Sequence, residues 1–199
     1  MRRFFWGVIV TLLILIALPF ILLGAGVFNI AATAQPGTLE TTLAGWTVDR
    51  SVKVHAPEEI NPLKDDPQAI EAGMAHYRAM CLQCHGAPHV QNHEFAAGLN
   101  PAPPDLAAAG KHWKDGELFW ITKHGIRMTG MPAFGKSHSD EELWQIVSFV
   151  RHLDDLSESQ VAALREGEEA AHAHGAVAET GHSHETHTAE APSEESLER

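Results

Sequence analysis

Cys81 and Cys84 are the only cysteines in the 199-residue chain, and His85 follows them directly. The run Cys81-Leu82-Gln83-Cys84-His85 constrains the fold more than any other feature. Two thiols at i and i+3 on one helical turn face the same way. Both can then form thioethers to the two vinyl groups of one haem, with the adjacent imidazole placed under the iron as proximal ligand. Three other readings use the same residues: a structural disulfide, half of a zinc site, and a redox-active dithiol. Zinc needs further ligands at suitable spacing, and no second cysteine pair exists. A redox dithiol is expected inside a βαβ pattern, which is absent. Two cysteines also exclude a disulfide-rich secreted scaffold.

Residues 4–28 carry no charge and are rich in Leu, Ile and Val. About 20 such residues cross a bilayer's hydrocarbon core. Arg2 and Arg3 precede the run, and the positive-inside bias places that end in the cytoplasm, with everything after Phe28 on the outer side. Ala32-Thr33-Ala34 resembles a signal-peptide cleavage site, but the run exceeds the roughly 7–15 residues of a signal h-region. The expectation is an uncleaved anchor over 1–30, in a bacterial inner membrane, with the rest of the chain periplasmic.

Residues 31–66 read as a linker punctuated by Pro36, Gly37, Pro57, Asn61-Pro62 and Asp66-Pro67. Within it, Leu39, Leu43 and Trp46 form one side of a short helix near the membrane surface, or else belong to a loose connector. Residues 67–156 read as helices joined by Pro/Gly-rich loops. The first runs from Pro67 to Leu82, with Ile70, Gly73, Met74, Tyr77 and Cys81 at helical spacing. A short one follows Asp115, with Leu118, Phe119, Ile121 and Thr122 before the stop at Gly125. The last opens on a Ser139/Glu142 capping box and carries Leu143, Ile146, Val147, Val150 and Leu153 as a stripe. No stretch alternates as a strand, so the fold class is all-α.

From Ser157 large hydrophobes become scarce, and Glu, Ala, His, Ser and Thr dominate. Such a segment cannot bury enough surface to offset its ordering entropy, and 157–199 is expected to be a disordered tail. It carries −8 of the chain's net charge of −12, a balance that argues against a nucleic-acid partner. Its His172, His174, His182, His184 and His187, set among carboxylates, form a candidate weak site for copper, nickel or zinc.

A haem iron held by His85 needs a ligand on its other face. Met131 lies 46 residues further on, in Gly130-Met131-Pro132 between two helices. A thioether on a loop stiffened by proline can be held over the iron without spending a helix. Met128 in the same loop is the obvious rival. Met74 and Met80 precede the attachment turn and are poorly placed, and His112, His124 or His138 would give a bis-histidine iron.

Over residues 67–153 the chain resembles class I c-type cytochromes, in particular bacterial membrane-anchored monohaem members of the cytochrome cbb3-subunit type. The resemblance rests on Cys81-Leu82-Gln83-Cys84-His85, on Pro103-Pro104-Asp105-Leu106, on Gly125-Ile126-Arg127-Met128-Thr129-Gly130-Met131-Pro132-Ala133-Phe134-Gly135, and on the final Trp-containing helix. It implies a helical domain wrapped around one covalent haem c bound to Cys81 and Cys84, with His85 and Met131 as axial ligands. It implies that the Pro104 carbonyl accepts the His85 imidazole N–H, and that Gly73 and Tyr77 mark the crossing of the first and last helices near Trp144. Trp113 and Trp120 are expected near the haem. The loop over 86–100, with His89 and His93, is longer than in the smallest members.

The resemblance further implies a carrier of single electrons in a respiratory chain, not an enzyme, exchanging with redox partner proteins. Lys111, Lys114, Lys123, Arg127 and Lys136 against Asp115 and Glu117 make a locally basic region for an acidic partner. The alternatives are a haem sensor or enzyme with a labile Met131, and a metal-handling role for the tail.

Overall fold

The computed structural model describes residues 1–166. Among these the only β feature is an isolated bridge between Ala87 and Val90; the architecture is all-helical. The helices are α1 (Arg2–Gly24), α2 (Thr38–His55), α3 (Pro67–Met80), α4 (Leu82–His85), α5 (Leu106–His112), α6 (Asp115–His124) and α7 (Asp140–His152). Single 3₁₀ turns cover Glu94–Gly98, Phe134–Lys136 and Leu153–Asp155.

α1 is uncharged from Phe4 onward and exposed along its whole length. Its 23 residues span about 34 Å at 1.5 Å per residue, enough for a hydrocarbon core of about 30 Å.

The centre of the domain is the crossing of α3 and α7. α3 starts at Asp66, whose side chain accepts the Gln68 N–H at 2.9 Å, with Pro67 in the first helical position. α7 starts at Ser139, where the Ser139 hydroxyl and the Glu142 carboxylate cap each other's backbone N–H. Gly73 makes the close approach possible: a Cβ there would lie 2.0 Å from the Gln145 carbonyl oxygen. One turn on, the fully buried Tyr77 ring packs on Phe149 at 5.1 Å and its hydroxyl donates to the Gly86 carbonyl at 2.6 Å. The aromatic contact of Tyr77 is thus with Phe149, while Trp144 stacks on Phe119 of α6 at 4.3 Å.

The first domain helix stops at Met80 rather than Leu82. Cys81 forms a turn, and α4 continues as a separate four-residue helix carrying Cys84 and His85.

Two boundary expectations need correction. Residues 31–66 are not a loose connector: α2 is a full 18-residue helix, and its second half packs on the domain through the buried Val52 and through His55, whose ring stacks at 6.0 Å on Trp120. Further on, Asn61 is buried and donates to the Ser148 hydroxyl at 2.8 Å and the Trp144 carbonyl at 3.3 Å. Nor does order end at Ser157. Residues 158–166 are helical, Leu164 is fully buried in the core, and Val161 packs beside it. Ser157 and Gln160 form a cap that starts this stretch, with the Ser157 N–H donating to Gln160 Oε1 at 2.9 Å. A short amphipathic turn can thus bury its one large side chain on a surface already built by α7.

Candidate haem site

A cleft opens between α4, α5, α6, α7 and the loops over 99–104 and 126–132, with an empty volume of about 1090 Å³ counted out to its open mouth. Its lining is predominantly apolar and includes Cys81, Cys84, His85, Pro104 and Met131 together. Residues up to 50 positions apart in the sequence therefore line one space.

Each side chain is placed by local structure. Cys81 and Cys84 stand three residues apart on one turn, closed by His85 N–H to Cys81 carbonyl at 2.9 Å. They are not joined to each other. Burial, and secondarily the neighbouring Cys84, pushes the Cys81 thiol up to about 12. Burial also raises Cys84. A dithiol exchange centre needs the opposite shift. No group of three or more His, Cys, Asp or Glu side chains suited to a metal ion occurs among the described residues, so the zinc reading finds no further ligands there.

His85 Nδ1 lies 2.8 Å from the Pro104 carbonyl oxygen. A carbonyl only accepts, so Nδ1 carries the proton and Nε2 keeps its lone pair. Burial lowers the His85 pKa, against the smaller opposing effect of the Pro104 bond, which favours the neutral imidazole a metal ligand needs. The Pro104 segment is held in turn by Asp105, which caps α5 through the Ala107 N–H at 2.9 Å.

The loop after α6 positions Met131 and separates it from Met128. Gly125 ends α6 with φ +64°, and a Cβ there would lie 2.6 Å from the Met131 carbonyl oxygen. Only glycine lets the chain turn left-handed and fold back this closely. Ile126 N–H then donates to the Met131 carbonyl at 3.3 Å. Thr129 Oγ1 closes the loop, donating to the Ile126 carbonyl at 2.7 Å and accepting the Met131 N–H at 3.1 Å. Met131 lines the cleft; Met128 is 92% exposed and does not. Met80 also lines the cleft, on the α3 side beside the attachment turn. His112, His124 and His138 line no part of it.

Trp113 lines the cleft, whereas Trp120 does not and packs instead between His55 and His124. The sequence reading missed the residue behind Trp113. Arg151 donates to the Trp113 carbonyl at 2.7 Å, to the Gly110 carbonyl and to Asp115 Oδ1 at 2.7 Å, tying the α5–α6 connection to α7. The basic region is smaller than its composition implies. Lys111 pairs with Asp154 at 2.9 Å and Lys123 with Asp140 at 2.6 Å, leaving Lys114, Arg127 and Lys136 exposed. His172, His174, His182, His184 and His187 lie outside the described residues.

Residues 68–150 match the family model described as cytochrome c oxidase, cbb3-type, subunit III. The match supports a class I c-type cytochrome domain of the cbb3-like kind over this segment. No curated protein matches the chain at a significant level. Among solved structures it is similar to the cytochrome CL of the marine methylotrophic bacterium Methylophaga aminisulfidivorans MPT. The identity is 20%, over 67% of this chain and 83% of that one, with a TM-score of 0.37. The family match implies haem binding by the cytochrome domain, and the cleft with its donor set is where the residues fit that group.

Proposed function

We propose that the chain is a membrane-tethered monohaem cytochrome that carries single electrons between redox partner proteins on the periplasmic side of a bacterial inner membrane. In this reading Cys81 and Cys84 would hold one haem c through thioethers, and His85 Nε2 and Met131 Sδ would ligate its iron. When bound, the haem supplies a one-electron ferrous/ferric couple. The chain supplies the rest. The Pro104 carbonyl fixes the His85 tautomer and raises the basicity of Nε2. The Gly125–Thr129 loop places Met131 on the cleft, where its thioether would occupy an iron ligand position, which favours a carrier over a sensor. The apolar lining keeps water away and favours the less charged, reduced form. α1 provides the tether, being long and apolar enough to cross a bilayer.

The observation that carries this reading is that Met131 and His85 share the cleft while Met128 is turned to solvent. Its test is the far-red charge-transfer band of a methionine–ferric iron bond. Met131→Ala abolishes the band and lets carbon monoxide bind the ferrous protein quickly; Met128→Ala leaves both unchanged. A band that survives Met131→Ala assigns the ligand elsewhere.

A further inference from the structure

α2 has two apolar faces. At about 100° per residue, Val48, Val52 and His55 fall on one side, and Leu39, Leu43, Trp46 and Arg50 fall within about 60° of one another on the opposite side. The first face is packed on the domain, through Val52 and the His55–Trp120 stack. The second is bare: Leu39 is 73%, Leu43 54% and Trp46 66% exposed. Single exposed apolar residues are ordinary, but three at i, i+4 and i+7 form a contiguous stripe, which marks an interaction surface.

The path of the chain identifies what covers the stripe. Only 13 residues, 25–37, separate α1 from α2. That stretch is tied down, because Asn100 Nδ2 donates to the carbonyls of Ala32 and Ala34 at 3.0 Å each. The eight residues from Gly24 to Ala32 reach at most about 29 Å when fully extended. α2 thus begins a short step from the end of α1, with its stripe adjacent to the place where the chain leaves the bilayer. The stripe ends in an interfacial tryptophan followed one turn later by an exposed arginine, the order in which side chains meet the acyl boundary and then the phosphates.

We propose that Leu39, Leu43 and Trp46 seat α2 in the lipid headgroup–acyl boundary, with Arg50 on lipid phosphates, so that α2 lies along the membrane surface and holds the cytochrome domain against it. This rests on the reading of α1 as a membrane-spanning anchor. Because Asn100 adjoins Pro101 on the wall of the cleft, the arrangement also fixes how the cleft is presented to partners in or on the same membrane.

The test uses nitroxide labels on the full chain in vesicles of equal parts phosphatidylcholine and phosphatidylglycerol. Thr42→Cys borders the stripe, Ile14→Cys lies inside α1, and Ser159→Cys is an exposed reference; the unsubstituted chain, treated identically, gives the background. Collisions with oxygen report lipid, and collisions with a water-soluble nickel chelate report water. The expected result is an oxygen-dominated Thr42 label, close to the Ile14 label. The ratio falls to the Ser159 value on Leu39→Glu/Leu43→Glu and part of the way on Leu43→Ala. A lipid-embedded Ile14 label with a nickel-dominated Thr42 label overturns the inference and leaves the anchor standing. A nickel-dominated Ile14 label overturns the anchor reading itself. A Thr42 label shielded from both reagents shows protein instead of lipid on the stripe and also overturns the inference.

Discussion

At the residue scale, two glycines decide where the chemistry sits. Gly73 allows α3 and α7 to touch backbone to backbone, and Gly125 allows the Met131 loop to double back on α6. Gly73→Ala forces a methyl group against the Gln145 carbonyl, which is backbone and cannot swing aside. The expected loss is about 2–3 kcal/mol from overpacking, read as a lower denaturant midpoint. A midpoint unchanged from the parent would show that the two helices are further apart than described here. Gly73, Met131 and the Cys81–His85 run are legible because each is a residue type whose backbone or donor chemistry nothing else supplies. Asn61 and Arg151 are not legible. An asparagine before proline reads as a turn, and an arginine on a helix reads as a solvated face. Only the fold shows that Asn61 reaches Ser148 and that Arg151 reaches two carbonyls and a carboxylate.

At the element scale, α7 is the best-marked helix, and its cap makes a pH-dependent prediction. Two hydrogen bonds from Ser139, and then the charges of His76 and His138, hold the Glu142 pKa below its ordinary 4.5. A lowered folded-state value stabilises the fold above the unfolded pKa, and the benefit is lost as pH falls through the folded value. The stability difference between the parent and Glu142→Gln should therefore be full at pH 6 and shrink as pH drops below 4.5. Ser139→Ala should cost about 1 kcal/mol by thermal or urea unfolding. A Glu142→Gln difference that stays constant down to pH 3 would show that the carboxylate does not cap the helix. α5 and residues 158–166 went unread for a shared reason. Leu106–His112 has Leu106 as its one large apolar residue and no apolar periodicity, and 158–166 offers only Val161 and Leu164. Their caps were nonetheless written in the sequence. Asp105 follows a proline pair, and Ser157-x-x-Gln160 has the spacing of a capping box.

At the scale of the whole molecule, the cytochrome domain is stabilised from both sides by segments that composition assigns to connectors. α2 and Asn61 close one side, and the 158–166 turn closes the other with Leu164. Leu164→Ala should destabilise the domain by about 2–4 kcal/mol in urea unfolding, a core-sized loss. A change under about 0.5 kcal/mol is the surface value and would return the domain boundary to Leu156. The fold class and the residues lining the cleft were legible because the Cys81–His85 run and the Gly125–Pro132 loop are each written in consecutive residues. The two flanks were not, since their packing depends on surfaces that exist only once α6 and α7 are in place. The mass of the acid-denatured chain tests the whole account most directly. The account predicts the polypeptide plus one haem, reduced to bare polypeptide in Cys81→Ala/Cys84→Ala. An unsubstituted chain that runs at the bare polypeptide mass, with both thiols open to alkylation, would contradict it.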